Sequence, residues 1–218
     1  MNTPSSTLHY VFDPLCGWCY AAAPLIQAAR AVPGLSVQWH GGGMLSGPMR
    51  RTITPDWRAH VLPHDRRIAE MTGQPFGEAY FEGLLRDVGA PLDSSPPITA
   101  MLAAEAVDGR GLDMLARMQK AHYLEGRRIG EPAVLGALAQ DLGLDAQAFE
   151  ARCAALAGAA TDAHIQDSRR WLGRLGGQGF PTLGLQHADG RLTPINMGLW
   201  LGRPDAWQAM LAQATMQA

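Results

Sequence analysis

FDPLCGWCY, Phe12 to Tyr20, places two cysteines, Cys16 and Cys19, on either side of a Gly17-Trp18 dipeptide. What flanks the pair decides what it is. Upstream, LHYVFD (Leu8 to Asp13) is short, β-rich and alternating, and reads as a strand. Downstream, YAAAPLIQAARAV is rich in alanine and reads as a helix that Pro33-Gly34 ends. LSVQWH then alternates as a second strand, broken by Gly41-Gly42-Gly43. Strand, helix, strand is a βαβ unit with a parallel pair, and the cysteines sit at its first strand-to-helix junction.

That position carries chemistry. The open N–H groups and the dipole at a helix N-terminus favour thiolate over thiol. The expectation is that Cys16 attacks a disulfide and forms a mixed disulfide, which Cys19, one turn later, resolves. Two intervening residues keep both sulfurs in the first turn, and Gly17 and Trp18 are placed to tune the couple. A C-x-x-C is also half of a four-ligand zinc site. No second such pair exists, Cys153 in EARCAALA has no neighbouring ligand, and Pro63 interrupts the spacing of His60 and His64. The redox reading is preferred, no metal is expected, and Cys153 reads as a buried structural thiol beside Phe149 and Leu156. Asp13 has two readings. It caps the turn at Pro14 through an Asx hydrogen bond, the preferred one, or it is a buried carboxylate that takes the proton of Cys19. The Gly41–Gly43 run reads as loop geometry rather than an anion site, because no G-x-x-x-x-G-K follows.

The rest of the chain sets the frame. It has 218 residues, a formal net charge of −2 and only 17% charged residues. With no basic stripe, nucleic acid is not an expected partner. No apolar run is long enough to span a bilayer, and MNTPSSTLHYVF lacks the basic-then-apolar order of a secretory signal, so a cytoplasmic location is expected. Three cysteines cannot build a disulfide scaffold. From about Thr54 to Gly176 the patterns are helical throughout. The helices expected follow TPDW and QPFGEAYFEGLLRDVG, then SSPPITAMLAAEAV (N-cap Ser95), GLDMLARMQKAHYLEG, EPAVLGALAQDLGL, LDAQAFEARCAALAG (N-cap Asp145) and TDAHIQDSRRWLGRLG. FPTLGLQ and RLTPINM then read as a hairpin joined by HADG, followed by a helix over about Pro204 to Gln217.

With those residues in view, the chain resembles the thioredoxin superfamily and, within it, the DsbA-like family. The Cys-Gly-Trp-Cys motif after the first strand, Pro24 five residues beyond Cys19, the GQGFPTL segment and the helical block between two β-containing halves carry the likeness. FDPLCGWCY is similar to the FrnE-like cytoplasmic branch. The resemblance implies an α/β thioredoxin-like fold, residues 1–53 and 165–218, with an inserted helical domain over 54–164. It implies a thiol-disulfide oxidoreductase or isomerase with no resident cofactor and glutathione as a candidate co-substrate. Its partners would be proteins or small molecules bearing thiols or disulfides. It also implies that Pro181 is cis and that Phe180, Pro181 and Thr182 bind substrate with Gly17 and Trp18. Taken alone, GFPT reads as an ordinary edge-strand proline.

Two other classes compete. The 2-hydroxychromene-2-carboxylate isomerases and kappa-class transferases share such an insertion and use glutathione, but they usually carry serine where this chain has Cys16. A redox-regulated binding module, with a groove in the helical block, is the non-enzymatic alternative. The direction of exchange, the substrate, the recycling partner and the oligomeric state have no signature in the sequence.

Overall fold

The computed structural model describes residues 6–216; the first five residues of the segment read for a secretory signal, and Gln217 of the expected last helix, lie outside them. The central strand is β1 (Ser6–Phe12), which runs parallel to β2 (Leu35–Gly41) and antiparallel to β5 (Thr182–Gln186). The hairpin partner of β5 is β6 (Leu192–Ile195), so the sheet order is β2-β1-β5-β6. Leu8, Tyr10, Val11 and Phe12 are fully buried, as a central strand covered on both faces requires. Alternation sends Leu8, Tyr10 and Phe12 to one face and His9 to the other. The Tyr10 hydroxyl donates to the Cys19 carbonyl at 3.3 Å, which puts the cysteine helix on the first face. His9 stacks on Trp171 at 3.9 Å, which brings α8 (Ala159–Arg174) onto the second.

The cysteines open α1 (Gly17–Ala21), and α2 (Ala23–Arg30) continues it after a break at Ala22, with Pro24 in the first turn of the second piece. The last helix, α9 (Pro204–Met216), packs on α2 through Trp207, whose indole N–H donates to the Leu25 carbonyl at 2.8 Å. Between the two β-containing halves lie α3 (Pro55–Thr72), α4 (Ser95–Asp108), α5 (Gly111–Tyr123), α6 (Pro132–Asp141) and α7 (Ala146–Leu156). Asp145 caps α7 by accepting from the Ala148 N–H at 2.7 Å, as its sequence position suggests. Outer strand β6 carries an exposed Pro194 opposite Gly184.

Three local expectations are corrected. QPFGEAYFEGLLRDVG forms no α-helix. A π-helical turn (Ala79–Gly83) and a 3-10 turn (Leu84–Arg86) replace it. Gly77 lies so close to the Leu124 carbonyl that a Cβ would sit 2.0 Å from it, and this anchoring fixes the segment's path. The stretch read as purely helical also holds β4 (Pro91–Leu92), which pairs with β3 (Arg51–Thr52). Two residues are too short a run to show alternation. Finally, α4 begins at Ser95, and the residue before it is Ser94, whose hydroxyl turns to Asp13 rather than capping the helix.

Candidate active site

Cys16 is the N-cap residue of α1, with extended backbone (φ −92°, ψ 117°), and its carbonyl accepts from the N–H groups of Cys19 and Tyr20. The FDPLC turn that delivers it is closed by the Cys16 N–H donating to the Asp13 carbonyl at 3.2 Å. Cys16 as a whole is 7% exposed. Its thiol donates to the Phe180 carbonyl at 3.5 Å, and the Phe180–Pro181 bond is cis. So two segments more than 160 residues apart in sequence meet at one sulfur. Cys19 is fully buried behind it, with the Asp13 N–H donating to its sulfur at 3.4 Å. Burial pushes the Cys19 thiol well above its ordinary range, and the adjacent Cys16 sulfur adds to this.

Asp13 is fully buried and saturated with donors. Oδ1 accepts from the Leu15 N–H at 2.9 Å and the Ser94 hydroxyl at 3.0 Å, and Oδ2 from the Met44 N–H at 2.5 Å. The Asx bond to Leu15 is the turn cap anticipated for this residue, and the other two bonds tie the cysteine turn to the glycine loop and to α4. Burial pushes its carboxyl above the usual carboxylate range, and the three donors oppose that rise. Thr182 turns its hydroxyl back to the Gly179 carbonyl at 2.8 Å, so its side chain braces the proline loop.

The Gly41–Gly43 run is packed from three sides. A Cβ at Gly42 would meet the Phe180 ring at 2.2 Å, and one at Gly41 would meet Ile98 at 3.0 Å. Gly43 has φ +62°, the left-handed region that suits glycine. Arg169 of α8 donates to the carbonyls of Gly42 and Gly43 at 2.9 and 2.7 Å. The glycines therefore let Phe180 approach, and Arg169 clamps the loop that holds it.

In front of Cys16 opens a cavity of about 1070 Å³. Gly17 and Trp18 line it with Cys16, and Met44, Trp57 and Asp65 line it as well. Asp65 had no place in the sequence reading, because LPHDRR has the look of a solvated helix face. It is 3% exposed, accepts from the Tyr80 hydroxyl at 2.8 Å and is pushed up to about 7 by burial. His60 and His64 also line the cavity, their rings 5.3 Å apart. Among the described residues no group of three potential ligands is placed to hold a metal ion. Cys153 is half-buried on α7, outside the cavity, and burial pushes its thiol up to about 11.

The DSBA-like thioredoxin domain matches residues 7–205. The chain belongs to that family. Solved structures similar to this chain bear on it. The cytosolic disulfide reductase DsbM from Pseudomonas aeruginosa is 52% identical, with a TM-score of 0.92 over 97% of this chain and 100% of that one. A second DsbM structure, with GSH, gives 51% identity and a TM-score of 0.87 over the same shares of the two chains. A chain from Nitrosomonas europaea, provisionally described as a protein disulfide isomerase, is 25% identical with a TM-score of 0.78 over 98% of both chains. No curated protein matches the chain. The DSBA-like fold explains why the cysteine turn and the proline loop meet: β1 and β5 are hydrogen-bonded neighbours, so the ends that carry them lie side by side. Among the described residues no helix of this DSBA-like chain is long and apolar enough to cross a membrane.

The buried histidines, His9, His40 and His164 on the α8 side of the sheet and His122 among the inserted helices, carry a stability consequence. Burial depresses His40 to about 3 and His122 to about 4, and it lowers His9 and His164 as well. A group depressed in the folded state takes up its proton mainly on unfolding, so stability is lost as pH falls from about 6.5 towards those values. Asp65 and Asp13, raised in the fold, act in the opposite sense below about pH 7 but are fewer. The expected net loss is on the order of 1 kcal/mol per pH unit between pH 6 and 4. Urea midpoints measured across that range check it, and a midpoint that rises on acidification contradicts it.

Proposed function

We propose that this thiol-disulfide oxidoreductase works as a reductase of small or extended disulfides, with glutathione as co-substrate. Cys16 is the attacking sulfur, Cys19 the resolving one, and the Phe180–Pro181 backbone with Gly17 and Trp18 the surface that holds the substrate. The observation that carries this is the arrangement at one sulfur: Cys16, at the mouth of the cavity, bonded to the Phe180 carbonyl, with Cys19 sealed behind it. Only Cys16 lines the cavity, so a substrate disulfide meets it first. Cys19, held as a thiol, attacks once the mixed disulfide has formed: the Cys16–Cys19 bond closes and the substrate leaves as its thiol.

The likeness to DsbM, a cytosolic disulfide reductase also solved with GSH, supports the reductive direction, the glutathione and a cytoplasmic site of action. Cys16 argues against the isomerase and transferase families that carry serine there. The division into a thioredoxin-like unit (1–53 and 165–218) and a helical insertion (54–164) belongs to the same proposal, with the insertion supplying part of the cavity's lining through α3. Thr182 and Asp13 act by shaping the loops around the two sulfurs.

The test is trapping. A Cys19→Ser variant, mixed with glutathione disulfide, should accumulate a single glutathione adduct on Cys16, read by mass spectrometry of its peptides. Absence of an adduct, or an adduct on Cys153 alone, defeats the assignment.

A further inference from the structure

Beside Gly17 and Asp65 lies a second space of about 30 Å³. Asp65 and Gly17 line both. The small space is also lined by Tyr80, His122 and Tyr123, deep among the inserted helices. Two polar atoms on that lining residue set, His122 Nδ1 and the Tyr123 hydroxyl, are buried without a hydrogen-bond partner, although their residues are only 5% and 1% exposed. Burying a polar group without a partner forfeits its hydration, so such groups are rare without a reason. The second ring nitrogen of His122 is tied to the backbone of Arg127, which leaves Nδ1 as the free one. The space exceeds the roughly 10–15 Å³ that one water occupies, and although Leu15, Ile53, Val61 and Leu92 also line it, Asp65, His122 and Tyr123 supply the two to four partners that a buried water needs.

Asp65 joins this space to the reacting sulfurs. Its Oδ2 accepts from Tyr80, and Oδ1 has no hydrogen bond among the described residues. Oδ1 packs on Gly17 so closely that a Cβ there would sit 2.6 Å from it. Gly17 is the residue next to Cys16, and no other side chain type permits that approach.

We propose that Asp65, backed by a buried hydration site formed with Tyr80, His122 and Tyr123, is the proton donor to the sulfur that leaves when Cys16 opens a substrate disulfide. The inference rests on the assignment of Cys16 as the attacking sulfur. The Cys16 thiolate forms a new S–S bond, the substrate S–S bond breaks, and the second substrate sulfur departs with the electron pair. The proton moves from the Asp65 carboxyl to that sulfur, leaving a carboxylate and a free thiol. In the second step Cys19 gives its own proton to the other departing sulfur, so two thiols leave for two cysteine sulfurs oxidised. The carboxylate regains a proton from solvent through the hydration site, matching the one Cys16 lost on ionising.

A carboxyl raised to about 7 is protonated in a useful fraction near neutrality, and the group is a carboxylate above that. The titratable and charged neighbours are Cys16 at the N-cap of α1, Tyr80 on the π-helical turn, His122 and Tyr123 on α5, and Arg51 on β3 in the cavity lining. On α3 itself they are Asp56, His60 and His64. Tyr80, His122 and Tyr123 are all held in their neutral forms by burial.

The test compares Asp65→Asn with the unmodified full-length protein in single-turnover reactions with two disulfides. One is glutathione disulfide, whose leaving thiol is a weak acid; the other is an aromatic disulfide, whose leaving thiol is a strong one and departs unaided. With glutathione disulfide at pH 6 the variant should be slower by about tenfold, the low side of general-acid effects because sulfur leaves readily. The deficit should narrow as pH rises above 7 and should be much smaller with the aromatic disulfide at every pH. Equal deficits with both substrates, or a deficit independent of pH, would reduce Asp65 to a packing role and overturn the proposal. If the unmodified protein reacted with neither disulfide, the assignment of Cys16 would fail instead, which keeps the two failures distinguishable. Should Asp65→Asn not fold, Tyr80→Phe carries the test: it removes a donor that favours the carboxylate, so the pH at which the glutathione reaction declines should move upward, and an unmoved profile counts against the proposal.

Discussion

A Cys16→Ser variant should reduce glutathione disulfide at least about 10³-fold more slowly than the unmodified protein, with no rescue by Cys19. The hydroxyl of serine ionises far too weakly to replace a thiolate as the attacking group. Cys19 cannot substitute for two structural reasons. It has no exposed surface, so a disulfide cannot reach it. Its thiol is held protonated chiefly by burial, which the substitution leaves in place. Stopped-flow loss of the reductant signal checks the rate. Residual activity within tenfold of the parent would mean that another sulfur, Cys153 being the one remaining, does the chemistry.

Replacing Trp207 by alanine should lower stability by about 3–5 kcal/mol, the range for removing a fully buried aromatic. Trp207 has no exposed surface and joins α9 to α2, and its indole N–H holds the Leu25 carbonyl. The loss has two parts, a cavity between the helices and the lost hydrogen bond. Because α2 continues the cysteine helix, the damage should reach the site before the whole chain unfolds. Alkylation of Cys19 should therefore rise in the variant under conditions that leave the parent protected. A shift in the urea midpoint worth less than 1 kcal/mol would show that α9 contributes little.

The strands and the redox pair were legible because their signals are local. LHYVFD reads as a strand from its own residues, and Cys16 and Cys19 report their chemistry through their spacing together with the strand before them and the helix after. The cis-proline loop was legible only through resemblance, since GFPT on its own has a blander meaning. What stayed hidden was made by contacts distant in sequence. Ser95 has the look of a cap, but the residue before the helix is Ser94, and Asp13 claims its hydroxyl from 81 residues away. Asp65 sits among arginines in LPHDRR, and nothing nearby says that Tyr80 and Gly17 will enclose it. The QPFGEAYFEG segment has helical composition, but the close approach of Gly77 to the Leu124 backbone overrides that preference.

Pro194 has a consequence for how copies of the chain behave in a crowded solution. An open sheet ends in a row of unpaired amides that can recruit a strand from a neighbouring molecule and seed fibrous aggregates. On β6 that row is interrupted, because proline has no amide hydrogen to offer and its ring stands out into solvent. Substituting Pro194 with valine would restore the missing donor on a flat, β-favouring side chain, turning a guarded border into a sticky one.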